Sequence, residues 1–230
     1  MTDPQLTALV KKAQAGSKEA MNDLITACYE DLFYYALKSV QDEDLAADIT
    51  QEGCLDIVTK LTELREPGAF PVWARRILHT RCSRHFRSVR EVTVEEDENG
   101  ETIFDRLPDE SDDALPEKIQ EDREFRQTMQ EMLDRLPPEQ RTALLLYYYE
   151  RLSVEQIAQI QDVPTGTVKS RLNYGRRAVK AQVEDYERKT GVRLHSLAPL
   201  PLLLLFLLRT DRDAAIAGSA PLLGEDGFVL

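Results

Sequence analysis

Apolar residues recur three and four apart through two long stretches of this chain and nowhere settle into alternation, which restricts it to helices. Ser17 suits an N-cap, and Ala20, Leu24, Ala27, Cys28, Leu32, Ala36 and Val40 then mark one face of a helix. A second helix is predicted from about Glu43 to Leu61, with Leu45, Ile49, Leu55, Ile57, Val58 and Leu61 as its buried side. Pro67-Gly68 breaks the chain, and a third helix carries Trp73, Ile77, Leu78 and Phe86. No run of alternating β-branched residues makes a convincing strand.

The pattern stops at residues 91–116, which are acidic and punctuated by Asn99-Gly100, Pro108 and Pro116. High charge and little apolar material make this segment a linker, although VTV and TIF around Asn99-Gly100 could pair as a small hairpin. Helical periodicity resumes near Glu117. One helix ends before Leu136-Pro137-Pro138, and another follows from Pro138, which suits a first helical turn, to Glu150. Ser153 as N-cap, with Gln156 three residues on, forms a capping box for a short helix. A break at Gln161–Pro164 leads into a basic helix, so this pair reads as a helix-turn-helix. The expected fold is all-α: two small helical domains joined by an acidic flexible linker, plus an apolar C-terminal tail. The boundaries fall at 1–90, 91–116, 117–190 and 191–230.

Charge distribution narrows the function more than the net charge of −12 does. Glu91 to Glu124 holds 15 acids against Arg106, Lys118 and Arg123, a surplus of 12 that accounts for all of it. The remainder is neutral on balance and carries two basic islands. Arg75 to Arg90 has six Arg and no acid, and residues 165–180 have five Lys or Arg and no acid. Such islands point to nucleic acid. On a helix starting near Thr165, Val168, Leu172 and Val179 turn inward. Thr165, Thr167, Lys169, Ser170 and Arg171 then occupy the turns that reach base edges in a major groove. Arg176, Arg177 and Lys180 lie further along, where phosphate contact is the natural role.

LPPEQRTALLLYYYERLSVEQIAQIQDVPTGTVKSRLNYGRRAVK resembles region 4 of bacterial sigma factors of the extracytoplasmic-function type, whose run is close to LPP-x-QR, LS-x-x-EIA and P-x-GTVKSRL. ADITQEGCLDIV, residues 47–58, is similar to the same family's region 2 signature, AED-x-x-QE-x-F. FPVWARRILHTRCSRHFR, residues 70–87, is similar to its F-x-x-W-x-x-x-IA-x-N helix. The resemblance implies that Asp48, Gln51 and Glu52 bind core RNA polymerase, with Asp56 completing a polar flank of the same helix. It implies that the 70–87 helix reads and opens the −10 element of promoter DNA. There Arg75, Arg76, Arg81, Arg84 and Arg87 would supply charge, and Thr80 would wall a pocket for a flipped base held by the loop 63–69. Region 4 would read the −35 element. Departures from the pattern are Thr80 for Asn, Cys54 for Phe, Arg151 for a glycine before LS, and Asp162 for a glycine in the turn. The acidic linker would either thread a basic channel of the polymerase or act as a self-repelling tether.

Other classes fit less well. The N-terminus lacks the basic start and apolar run of a signal peptide, and three widely spaced cysteines do not make a disulfide framework, so a reduced, cytoplasmic setting is expected. His79, Cys82 and His85 fan too widely over a helix for a zinc site and no fourth ligand is evident. No nucleophile elbow or phosphate-binding loop appears, so neither an enzyme nor a cofactor is expected. The apolar run 197–208 would span about 18 Å as a helix against a hydrocarbon core of about 30 Å, so stable membrane insertion is not expected. An anti-sigma factor is a further candidate partner, and no small-molecule substrate is expected. A DNA-binding regulator that never joins the polymerase, and an antagonist that titrates a partner through region 2, are the alternatives.

Overall fold

The computed structural model describes residues 3–89 and 131–191, with side chains over 4–85 and 131–191. The acidic linker and its hairpin alternative, the helix start near Glu117, the apolar tail, and the side chains of Phe86 and Arg87 lie outside the described residues. Among those that are described, every regular element is helical. The chain divides into two compact units.

The first unit is built on α1 (Asp3–Gln14), α2 (Lys18–Val40), α3 (Glu43–Lys60) and α4 (Phe70–Val89). Gly16 turns the chain between α1 and α2 at φ +94°, a conformation that a side chain would oppose. Ser17 then caps α2, its hydroxyl accepting from the Ala20 N–H at 3.1 Å. Gln41, left-handed at φ 58°, ends α2, and the Asp42 carboxylate accepts from the Leu45 N–H at 2.9 Å to start α3.

The single stripe expected on α2 is too narrow. Ile25, Tyr29, Phe33, Tyr34 and Tyr35 are buried beside Leu24, Leu32 and Ala36, whereas Ala27 is exposed. The reason is position: α1, α3 and α4 all pack on α2, and a helix covered on three sides needs apolar residues nearly all round. Against α4, α3 presents Gly53, where a Cβ would stand 2.7 Å from Leu78 Cδ1, so glycine permits this close approach. Leu55 sits about 200° round the helix from Gly53. Expected inside, it is instead 51% exposed.

Between α3 and α4 the chain makes two single turns of 3₁₀ helix, Leu61–Glu63 and Pro67–Ala69. Gln14 holds this connection, its side-chain amide donating to Leu61 O at 2.9 Å and Leu64 O at 2.7 Å.

The second unit contains the helical end at 131–134, α5 (Pro138–Leu144), α6 (Val154–Gln161) and α7 (Thr165–Thr190). Pro138 takes the first helical position of α5 as its missing N–H suggests. The helix then widens into a π turn, Leu145–Tyr149, instead of running regularly to Glu150. Burial is continuous from Arg141 to Tyr148, through the end of α5 and the π turn alike. α5 packs on α7 at Gly175, where a Cβ would meet Leu144 Cδ1 at 3.0 Å.

Candidate functional site

The capping box ahead of α6 is reciprocal. The Ser153 N–H donates to Gln156 Oε1 at 2.9 Å, and the Gln156 N–H donates to Ser153 Oγ at 3.3 Å. Asp162 makes the turn out of α6 in the left-handed region, at φ 54°, and Arg151 enters the motif at φ 55°. Both stand where the resembled family commonly has glycine, which suits that backbone. α7 follows with Val168, Leu172, Gly175, Val179 and Val183 buried.

On the opposite side of α7, Thr165, Lys169, Ser170 and Arg177 are exposed, and Thr167 and Arg171 are partly so. Arg176 is placed differently. Its guanidinium lies over the Tyr147 and Tyr148 rings, 5.6 and 5.9 Å from their centroids, which clamps α7 to the π turn. Arg176, expected among the outward phosphate-contacting groups, is half-buried there because the rings draw it back toward α5. Tyr174, which the sequence reading passed over, occupies the outward face at 38% exposed.

The arginines of α4 likewise have separate environments. Arg76 and Arg84 are exposed, as is Thr80, whose hydroxyl donates to Arg76 O at 2.9 Å. Arg75, expected on an outward track, is only 8% exposed. Arg81 turns to α3, where its Nε and Nη2 approach Asp56 Oδ2 at 2.7 and 2.6 Å and its Nη1 binds Glu52. Lys60 takes the other Asp56 oxygen at 3.1 Å. The structure thus joins Arg81, read as a DNA contact, to Glu52 and Asp56, read as polymerase contacts. Asp48, Gln51, Glu52 and the unexpected Leu55 remain exposed in a stripe along α3.

Desolvation pushes the Asp56 carboxyl up, but hydrogen bonds and charge from Arg81 and Lys60 outweigh it, leaving it below its ordinary 3.8. A depressed carboxylate stabilises the fold above its unfolded value and loses that contribution as pH falls through the folded one. Arg81→Ala should therefore destabilise the first unit at neutral pH, by at most about 1 kcal/mol because solvent screens the pair. The difference should vanish in acid, below the folded value. Urea denaturation at both pH values reads this, and an equal loss at both would contradict it.

His79 has both ring nitrogens engaged, Nδ1 with Tyr35 OH at 2.8 Å and Nε2 with Ser83 Oγ at 3.1 Å. Cys82 is buried, and burial pushes its thiol up to about 12. Among the described residues no helix is long and apolar enough to cross a membrane.

A capped short helix, a left-handed turn and a long helix with a basic outer face place the second unit in the DNA-binding helix-turn-helix class. Residues 126–179 match the family described as Sigma-70, region 4, and residues 24–91 match Sigma-70 region 2. The ECF RNA polymerase sigma factor SigE of Mycolicibacterium smegmatis is 32% identical over 182 residues, covering 76% of this chain and 67% of that protein. The RNA polymerase sigma-H factor of Pseudomonas aeruginosa is 29% identical over 195 residues, covering 82% and 99%. A solved structure of the sigma factor RpoE in complex with the anti-sigma factor NepR, from Bartonella quintana, shares the fold. It aligns at a TM-score of 0.50 and 18% identity over 70% of this chain and 94% of that one. The chain belongs to the sigma-70 family of RNA polymerase sigma factors, in its extracytoplasmic-function branch. Such proteins are non-catalytic transcription initiation factors.

Proposed function

We propose that this protein binds core RNA polymerase in the cytoplasm and directs it to promoters carrying two elements. Residues 1–90 engage the polymerase and open the −10 element, residues 117–190 read the −35 element, and 91–116 tether them. The observation that carries this reading is the outer face of α7, where Lys169, Ser170 and Arg177 stand exposed directly behind a capped helix and turn. On α4, exposed Arg76, Thr80 and Arg84 are the groups available to a melted strand. An anti-sigma protein is a further proposed partner, supported by the neighbour solved with one.

Docking on the polymerase falls to Asp48, Gln51, Glu52 and Leu55, an acid-and-amide stripe with an apolar end. Burying one leucine side chain contributes about 1.5–3 kcal/mol, so Leu55 should be the anchor of that contact. Leu55→Asp is expected to weaken binding to core polymerase by about tenfold or more, with helical content and melting unchanged. Affinity equal to the unsubstituted protein in a fluorescence titration would remove α3 from the docking face.

A further inference from the structure

Among the described residues two large hydrophobic side chains are exposed, Leu55 and Tyr174. Leu55 belongs to the docking stripe already described. Tyr174 lies on α7 one turn beyond Ser170 and Arg171 and one turn before Arg177, about 130° from the centre of the stripe formed by Val168, Leu172, Gly175 and Val179. It therefore stands among the groups assigned to DNA, away from the buried stripe of α7, with 38% of its surface open to solvent. The tyrosines that do support the core, Tyr147 and Tyr148, are buried on the other side and carry Arg176 on their rings.

The chemistry of the face limits what such a ring meets. Thr167 and Ser170 offer short hydroxyls, and Lys169, Arg171 and Arg177 offer charge, so this face has donors for phosphates and purine edges already. The one base feature in a major groove that polar groups cannot read is the thymine 5-methyl, which is read by apolar contact. Tyr174 lies midway through the third turn of α7, where a helix entering the groove by its N-terminal turns leaves more distance to the bases than at Thr165. A long, flat side chain is suited to cross it. We propose that Tyr174 selects thymine at one position of the −35 duplex by packing its ring on the 5-methyl group. This rests on the reading of α7 as the −35 reader.

The test uses the full chain assembled with core polymerase. The complex first selects its −35 element from a randomised duplex pool. Each thymine of that element is then replaced by uracil, which removes the methyl and leaves the pairing edge intact. One position should lose about fourfold in affinity, the value of one buried methyl-sized group. In Tyr174→Ala the same replacement should have no effect, and in Tyr174→Phe, which keeps the ring, it should cost as much as in the unsubstituted protein. A uracil penalty that persists in Tyr174→Ala would overturn the proposal while leaving α7 as the reader. Loss of the penalty in Tyr174→Phe would assign the contact to the hydroxyl and overturn it too. If no element is selected at all, the −35 reading itself fails and the proposal falls with it.

Discussion

Arg141→Met is expected to lower the melting temperature of the second unit sharply while the first keeps its transition. Arg141 is 1% exposed, and its Nη1 donates to Asp134 O at 2.9 Å and to Leu136 O at 3.0 Å. Those carbonyls end the helix before the Leu136-Pro137-Pro138 corner, where the prolines supply no N–H to bind them. Methionine follows the arginine stem as far as the Nε position and has no donor. Swapping a buried charge for an apolar group is often neutral when its partners can be replaced as well, but backbone carbonyls cannot be. Left unsatisfied, the buried Leu136 carbonyl costs about 1–3 kcal/mol, and the part-buried Asp134 carbonyl, within reach of water, costs less. A domain the size of residues 117–190 has roughly 4–11 kcal/mol of stability in all, so the two losses together take a large share of it. Calorimetry of the full chain should show the second unit melting well below its normal temperature, and a shift of less than about 2 °C would contradict this account of the LPP-x-QR motif.

Lys169→Ala combined with Arg171→Ala is expected to abolish promoter choice while leaving affinity for core polymerase unchanged. Both residues lie in the first two turns of α7, the part of a recognition helix that faces base edges, and each bidentate base contact discriminates by about 1–3 kcal/mol. Two such losses reduce specific binding toward the nonspecific level. Arg177→Ala, further along the helix, should behave differently. It should weaken binding to all duplexes alike and reduce the slope of log affinity against log salt by about 1, as expected for one lost phosphate contact. Anisotropy titrations of the −35 duplex and a scrambled duplex over a range of salt separate the two patterns. If Arg177→Ala changed discrimination and the double substitution did not, the division of α7 into base-reading and phosphate-holding turns would be reversed.

What could be read from the sequence is what local chemistry decides. The Ser17 cap, the Ser153–Gln156 box, Pro138 at a helix start and Asp162 in the left-handed region each depend on residues within a few positions of one another. Three-dimensional neighbours decide the rest. Periodicity put Leu55 inside because it cannot show that Gly53, Cys54 and Ile57 already fill the side of α3 that faces its neighbours. It gave α2 a single stripe because helices on three sides are invisible in one helix's pattern.

Counting charge treated the arginines of the basic islands as equivalent. Arg75 is buried, Arg81 is held by carboxylates on α3 some 25 residues away in sequence, and Arg176 is held by rings of the π turn. A signal for Arg81 was present in the four-residue spacing of Asp48, Glu52 and Asp56 along α3, but only the close α3–α4 packing at Gly53 brings the two together. Tyr174 went unremarked because a single aromatic in a basic helix reads as core until its face is known.

The measurement that bears most directly on the central claim is transcription by sigma-free bacterial core polymerase on fragmented genomic DNA, with and without this protein, and with start sites mapped. The account predicts starts that appear only with the protein and share two upstream elements, the farther one altered by Lys169→Ala with Arg171→Ala. A protein that binds such DNA yet leaves core polymerase without specific starts would contradict it.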